Sequence, residues 1–276
     1  LGTRRLTRLG LLTAMALVLF LVEAALPRPL PWMKLGLGNA AVLAALLLFG
    51  AGPALAVSVI KLLVGGLLGG GLVGPAFVIG ASAGVTSVAA MALLWRLAPR
   101  LLSPVGLSVA GALVHQVTQL AVAAGYLLGA LPFAHVASRI RGIDVFTTGS
   151  TLAGTANVFF NVGHRTGALV LVGDIAKGAA AVFTAWALGV PPALILVAGG
   201  AAVVGHWKSV FTRFRGGDGM APLIGVSLAL MPELAVLGGV IGVATVVLMR
   251  RSSLRSTWGI SVSFLVMLGI SQYYQI

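Results

Sequence analysis

Residues 166–205 read TGALVLVGDIAKGAAAVFTAWALGVPPALILVAGGAAVVG, forty positions in which Asp174 and Lys177 are the only ionisable side chains. A membrane crossing takes about 20 apolar residues. The stretch is therefore long enough for two crossings, and Gly189-Val190-Pro191-Pro192 breaks it near its middle. Two spans joined by a short turn return the chain to the side it left. The polar, glycine-rich segments that flank the stretch, 139–165 and 206–222, are accordingly expected on one face of a membrane.

The same pattern extends outward to apolar runs at 9–22, 40–60, 76–95, 105–134 and 220–249. Of 276 residues, 59% are hydrophobic and 8% charged, and the mean hydropathy is +1.10. So few charges cannot cover the surface of a water-soluble domain. The expected fold is all-α, a polytopic transmembrane bundle of about ten helices, in which abundant Gly and Ala let backbones approach closely. The first run reads as a membrane helix and not a signal peptide, because no small-x-small cleavage site precedes a soluble region. Residues 105–138 fit least well. One helix there would be about 50 Å long, too long for a core of about 30 Å, and two helices barely fit.

A net charge of +13 does not signal nucleic acid here, because the basic residues form no solvated face. They sit between apolar runs in short clusters: Arg4, Arg5 and Arg8; Arg96 and Arg100; Arg139, Arg141 and Arg165; Lys208, Arg213 and Arg215; Arg250, Arg251 and Arg255. That is the pattern of cytoplasmic loops, so the expected location is a bacterial inner membrane, with 139–165, 206–222 and 250–255 inside. There are no cysteines, which excludes disulfides and thiolate metal sites. No metal or cofactor is expected.

The halves of the chain differ. Residues 1–125 contain one acidic residue, Glu23, and short loops marked by Gly and Pro. Residues 126–276 carry the two long polar loops. The first includes Gly149-Ser150-Thr151-Leu152-Ala153-Gly154-Thr155-Ala156-Asn157, small, hydroxyl-rich and leading into a helix. The second runs from Gly205-His206-Trp207-Lys208 to Arg213-Phe214-Arg215-Gly216-Gly217-Asp218-Gly219. Gly216, Gly217 and Gly219 let backbone N–H groups turn toward an anion where a helix opens near Met220, and Arg213 and Arg215 add charge. A single glycine-rich loop is more often just a turn. Two on one side, both rich in donors and cations, point to a phosphate-bearing ligand.

From about residue 120 to 276 the chain resembles the acyl-phosphate:glycerol-3-phosphate acyltransferase family (PlsY), integral membrane enzymes that begin phospholipid synthesis. The resemblance rests on Tyr126-Leu127-Leu128-Gly129-Ala130-Leu131-Pro132-Phe133, Gly142-Ile143-Asp144 followed by Gly149-Ser150, Asp174-Ile175-Ala176-Lys177-Gly178, and Gly205-His206 running to Phe214-Arg215-Gly216-Gly217. It implies acyl transfer from acyl phosphate to the 1-hydroxyl of glycerol 3-phosphate. An acyl phosphate is already activated, so the protein need only orient two anions and stabilise developing charge, without a covalent nucleophile. The roles implied are Ser150 and Asn157 as donors to phosphate and His206 as a polariser of the acyl group, or else a histidine capping a helix end. Gly149, Gly154, Gly216, Gly217, Gly219, Arg213 and Arg215 would form the phosphate site. Asp174 and Lys177, at i,i+3, read as a mutually neutralising pair in the bundle.

The sequence also departs from that family's pattern. Thr151-Leu152 replace a Gly-Asn pair, Phe160 stands where an Arg belongs, and Asp218 replaces a Lys. A carboxylate repels phosphate unless it pairs with Arg213 or Arg215. The family's third motif, a basic Asn-containing loop, is not visible before Ile276. The acyltransferase-like half is thus expected to be divergent, and the chain to be a piece of a longer protein.

Residues 9–125 resemble the Gx transporter family, also named heptaprenyl diphosphate synthase component I. The matching residues are Glu23 ahead of Leu26-Pro27-Arg28-Pro29, Lys34-Leu35-Gly36-Leu37-Gly38-Asn39, and Ser108 to Gln116 with Gln119. Glu23, Lys34, Asn39, Lys61, His115, Gln116 and Gln119 are polar groups in an apolar bundle. They are candidates either for a ligand site or for hydrogen bonds between helices. The resemblance implies small-molecule uptake or a prenyl-synthesis accessory. With three Asp in all, the chain has no Asp-rich motif for a magnesium diphosphate. Two modules are expected, 1–125 and 126–276. Two functions stay open: an acyltransferase with an added membrane module, or a transporter's substrate-binding subunit whose second half is inactive. Oligomeric state and partner subunits are not fixed by these residues.

Overall fold

The computed structural model describes residues 2–27, 36–68, 75–98 and 101–249, together with helical residues 259, 261–263, 265–267 and 269–270. Among the described residues from Thr3 to Leu248 the regular elements are eleven α-helices and one 3-10 turn, Val210–Thr212. The helices are α1 (Thr3–Ala25), α2 (Asn39–Phe49), α3 (Ala51–Leu68), α4 (Pro75–Leu97), α5 (Pro104–Ala130), α6 (Phe133–Ile140), α7 (Thr155–Asn161), α8 (His164–Ala187), α9 (Pro192–Trp207), α10 (Met220–Leu230) and α11 (Pro232–Leu248). Six helical segments among the described residues are long and apolar enough to cross a membrane, and α2, α10 and α11 are shorter apolar helices. Helices are what a bilayer demands, because each satisfies its own backbone polar groups.

The long region that the sequence left open is α5, 27 residues and about 40 Å, then a break at Leu131-Pro132 and the eight-residue α6. At about 12 Å, α6 is too short to cross. One crossing therefore separates Arg96 from Arg139, where two like-sided basic clusters would need an even number. The basic cluster at 250–255 lies outside the described residues.

The chain divides into two compact units, Leu1–Ala124 with Ala185–Ala198, and Gly125–Thr184 with Gly199–Ile276. In the first, α1, α2, α3 and α4 meet on small side chains: Ala16, Ala41, Ala45 and Ala54 are fully buried beside Val42, Leu46 and Val57. Close approach of this kind stabilises helix pairs where lipid removes the hydrophobic drive. α2 and α3 are joined through Gly50 alone, at φ +89°, where a side chain would be strained.

In the second unit the helices cross on glycine. Gly129 lies against the Ala202 backbone and Gly205 against the Tyr126 carbonyl, while Gly178 faces the Pro222 carbonyl and Gly225 that of Ile175. Two side-chain bonds then pin the end of α9 to the end of α5. The Tyr126 hydroxyl donates to the Lys208 carbonyl at 2.7 Å, and the buried Ser209 hydroxyl to that of Ala130 at 2.6 Å. The second polar loop is thereby held at the α5–α6 junction. The first loop folds over a small core of its own, Val145, Phe146, Ala153 and Val158 with Ala134 and Val170.

Candidate active site

One backbone bond joins the two polar loops directly, and a second ties the diglycine to the end of α9. The Ala153 N–H donates to the Gly216 carbonyl, and the Gly217 N–H to that of His206, each at 3.1 Å. Both loops therefore lie together, as the paired spans between them require. Between them is a cleft lined by Ala130 to Ala134, Ala153, Asp174, Lys177, His206, Ser209, Thr212, Arg215 and Gly216.

Charge is concentrated at its floor. Lys177 Nζ lies 2.8 Å from Asp174 Oδ1, donates to the Leu131 carbonyl at 2.8 Å and stands 5.7 Å from the Phe133 ring centroid. His206 Nδ1 is 3.7 Å from the same carboxylate oxygen. Asp174 is 1% exposed, and its Oδ2 has no hydrogen-bond partner among the described residues. A buried carboxylate is tolerable only beside compensating charge, so Asp174 holds Lys177 and draws in His206. Arg215 is exposed at the mouth. Its guanidinium lies 4.3 Å from the Phe146 ring centroid and donates to the Phe146 carbonyl at 3.1 Å. Two cations, one imidazole and a wall of backbone suit a ligand with anionic oxygens.

Several residues expected at a phosphate act elsewhere. Asn157 Nδ2 donates to the carbonyls of Val145 at 3.1 Å, Thr148 at 2.9 Å and Leu152 at 2.9 Å. Its Oδ1 accepts from Asn161 at 2.9 Å. An amide nitrogen has two hydrogens, and both are used in shaping the loop, so Asn157 organises it and does not line the cleft. Gly149, at φ +57°, packs on that Asn157–Asn161 pair. Ser150 is exposed and does not line the cleft. Gly154 is the N-cap of α7 and Gly219 that of α10. Gly217 has its N–H on His206, and Gly216 packs on the His206 and Trp207 carbonyls. The diglycine thus fastens the loop to α9, and Gly216 also lines the cleft.

Asp218 is engaged at a helix start. Its Oδ1 accepts the Met220 N–H at 3.1 Å, at the start of α10. Among the described residues it makes no ion pair with Arg213 or Arg215, and it does not line the cleft. A carboxylate at a helix start is favourable, and this one is engaged by the α10 backbone. Arg213 is exposed and also outside the lining. Thr151, Arg213 and Phe214 are the non-glycine residues with positive φ among those described, and all three lie in these loops. Such strain persists where surrounding structure enforces it, commonly at sites of function.

The first unit holds a separate polar cluster. Glu23, 4% exposed, accepts the Gly36 N–H at 2.7 Å on Oε1 and the Leu37 N–H at 3.0 Å on Oε2. Lys61 donates to Asn39 Oδ1 at 2.6 Å. Glu23, Gly36, Asn39 and Lys61 share a small cavity with Gly38, Gly80, Gly84, Phe20, Leu62 and His115. Gln119 is buried one turn along α5 from His115. Lys34 lies outside the described residues.

Comparison with known proteins bears on the unit that holds the cleft. Residues 119–275 match the family model described as glycerol-3-phosphate acyltransferase. A glycerol-3-phosphate acyltransferase of Trichlorobacter lovleyi is 40% identical over 146 residues, 52% of this chain and 75% of that protein. The chain belongs to the glycerol-3-phosphate acyltransferase family. A second relative of that name, from Rubrobacter xylanophilus, is 44% identical over 117 residues, and the chain spans 59% of its length and 42% of its own. The crystal structure of PlsY, an integral membrane glycerol 3-phosphate acyltransferase in its glycerol 3-phosphate form, superposes with a TM-score of 0.50 at 28% identity. That match covers 55% of this chain and 77% of PlsY. Residues 12–161 also match the heptaprenyl diphosphate synthase component I model, so the chain joins two families whose matches overlap over 119–161. It is a multi-pass integral membrane protein.

In this acyltransferase-family chain, Asp174 and Lys177 were read from sequence as a neutralising pair, and the pair is present. What sequence reasoning missed is that it faces His206 and Arg215 across the cleft. A signal was available: two ionisable groups inside an apolar span are costly and mark function more often than packing.

Proposed function

We propose that the cleft of the second unit transfers an acyl group from acyl phosphate to the 1-hydroxyl of glycerol 3-phosphate, giving 1-acylglycerol 3-phosphate and phosphate. The observation that carries this reading is the convergence of Asp174, Lys177, His206 and Arg215 on one cleft, in a chain of this family. Arg215 at the mouth and Lys177 at the floor each meet one phosphate. The hydroxyl oxygen attacks the acyl carbon, the bond from that carbon to the phosphate oxygen breaks, and the departing phosphate takes up the hydroxyl proton. His206, oriented by Asp174, stabilises charge on the acyl oxygen. No covalent nucleophile is needed, and the cleft hydroxyls are otherwise engaged: Ser209 bonds to the Ala130 carbonyl and Thr212 to that of Arg215. Supported by the basic loops, the site faces the cytoplasm from a bacterial inner membrane.

The test is product formation by purified, detergent-solubilised protein given acyl phosphate and glycerol 3-phosphate. His206→Phe is expected to lower kcat by about a hundredfold without changing the elution profile. A folded parent that forms no product rules the reading out.

We further propose that residues 1–125 and 126–276 are separate functional modules, the first a small-molecule site built on Glu23, Asn39, Lys61 and His115. The buried polar cluster supports this, since groups so placed within spans are expensive to keep. Lys61→Met is then expected to leave acyl transfer unchanged. A loss of rate in a folded Lys61→Met protein would mean that the two clusters serve one reaction.

A further inference from the structure

We propose that the rim of the second unit's cleft is a binding surface for the headgroups of anionic phospholipids in the surrounding bilayer. α6 cannot cross a membrane, yet it exposes an apolar face. Phe133, Val136 and Ile140 are 40%, 49% and 79% exposed, while Ala134 and Ser138 are buried. The spacing of three and four places the exposed set on one side of the helix. At the end of α9 and in the loop that follows, Trp207, Val210, Phe211 and Phe214 are exposed. Apolar side chains offered by short segments of a membrane protein belong at the boundary between acyl chains and headgroups.

The two segments are fastened to each other. The Phe146 ring lies 5.2 Å from the His135 ring of α6 on one contact and 4.3 Å from the Arg215 guanidinium of the loop on the other. Set among the apolar groups are Arg139, Arg141, Lys208 and Arg213, all exposed. Lys208 Nζ stands 4.7 Å from the Trp207 ring centroid, which places a cation at the depth of an interfacial aromatic. The two nearby carboxylates each accept a backbone N–H, Asp144 from Phe146 at 3.0 Å and Asp218 from Met220 at 3.1 Å. The exposed cations outnumber them, so the rim carries net positive charge, and an anionic phospholipid can meet the cations with its phosphate and the apolar anchors with its acyl chains. A free phosphate would satisfy only the cations. The cations it invokes, Arg139, Arg141, Lys208 and Arg213, lie outside the cleft lining, and the inference does not rest on the acyl-transfer reading.

The full chain, placed in nanodiscs with equal shares of phosphatidylcholine and phosphatidylglycerol, can be released and its retained lipids counted by native mass spectrometry. Phosphatidylglycerol is expected to be enriched. The double variant Arg139→Gln, Arg141→Gln should lower that enrichment about tenfold, and Arg139→Lys, Arg141→Lys should restore it. Excess inorganic phosphate should leave it unchanged. Equal retention of the two lipids by the parent, or displacement of lipid by phosphate, would overturn the proposal. So would an equal loss of enrichment when Arg4 and Arg8 are changed to Gln instead.

Discussion

Arg215→Ala is expected to lower kcat/KM for acyl transfer by about a hundredfold to a thousandfold. Arg215 and Lys177 are the cations lining the cleft, and Lys177 is already paired with Asp174 at 2.8 Å. The uncompensated positive charge is therefore Arg215's, and two anionic substrates have to be brought together beside it. Its position is set twice, by the Phe146 ring and the Phe146 carbonyl. Arg215→Lys should therefore recover only part of the rate, because an ammonium keeps the charge but not the planar stack or the forked donors. Steady-state kinetics with each substrate varied in turn check this, and the loss should include a raised KM for glycerol 3-phosphate. An alanine variant with the parent's kcat/KM would remove Arg215, and with it this cleft, as the place where phosphate is held.

Gly225→Val should prevent the second unit from folding, with a destabilisation of about 3 kcal/mol or more. A side chain at 225 would run into the Ile175 carbonyl, and one at 178 into that of Pro222. The obstructing atoms are backbone, so no rotamer change relieves the overlap and α8 and α10 must move apart. α8 carries Asp174 and Lys177, which makes this crossing a condition of the site. Gly200→Ala is the contrast, because nothing lies within 4 Å of a Cβ there. In the interior of α9 it should be neutral or stabilising, by up to about 1 kcal/mol. Yield of monodisperse protein and the midpoint of thermal unfolding in detergent separate the two outcomes. A Gly225→Val protein with the parent's midpoint would mean that the helices are not packed on these glycines.

The membrane-embedded, helical character of the chain and the adjacency of its polar loops follow from local features that no distant contact can reverse. A run such as 166–205 has nowhere to satisfy its backbone except in helices, and a break at Gly189-Val190-Pro191-Pro192 makes two of them. The same reasoning stalls at 105–138, because hydropathy does not say where a helix bends. Leu131-Pro132 divides the region into α5 and α6, and the pairing of Tyr126 and Ala130 with the end of α9 holds that division in place.

Residue types at the candidate site were visible early, but their roles were not. Asn157, Gly217 and Asp218 all look like parts of an anion site when read along the chain. Folding gives the Asn157 hydrogens to Val145, Thr148 and Leu152, the Gly217 N–H to His206 and the Asp218 carboxylate to Met220. A donor hydrogen serves one strong bond, and which acceptor reaches it depends on segments far apart in sequence, as Ala153 and Gly216 are. Asp174 and Lys177 went the other way, from a bland pair to the floor of the cleft, because only the crossing of α8 with its neighbours decides which side of a helix faces a ligand. Composition and spacing determine that polar groups are present and which helix carries them. Their remaining valence is settled by tertiary contacts, since hydrogen bonding and burial are properties of the assembled neighbourhood and not of the residue.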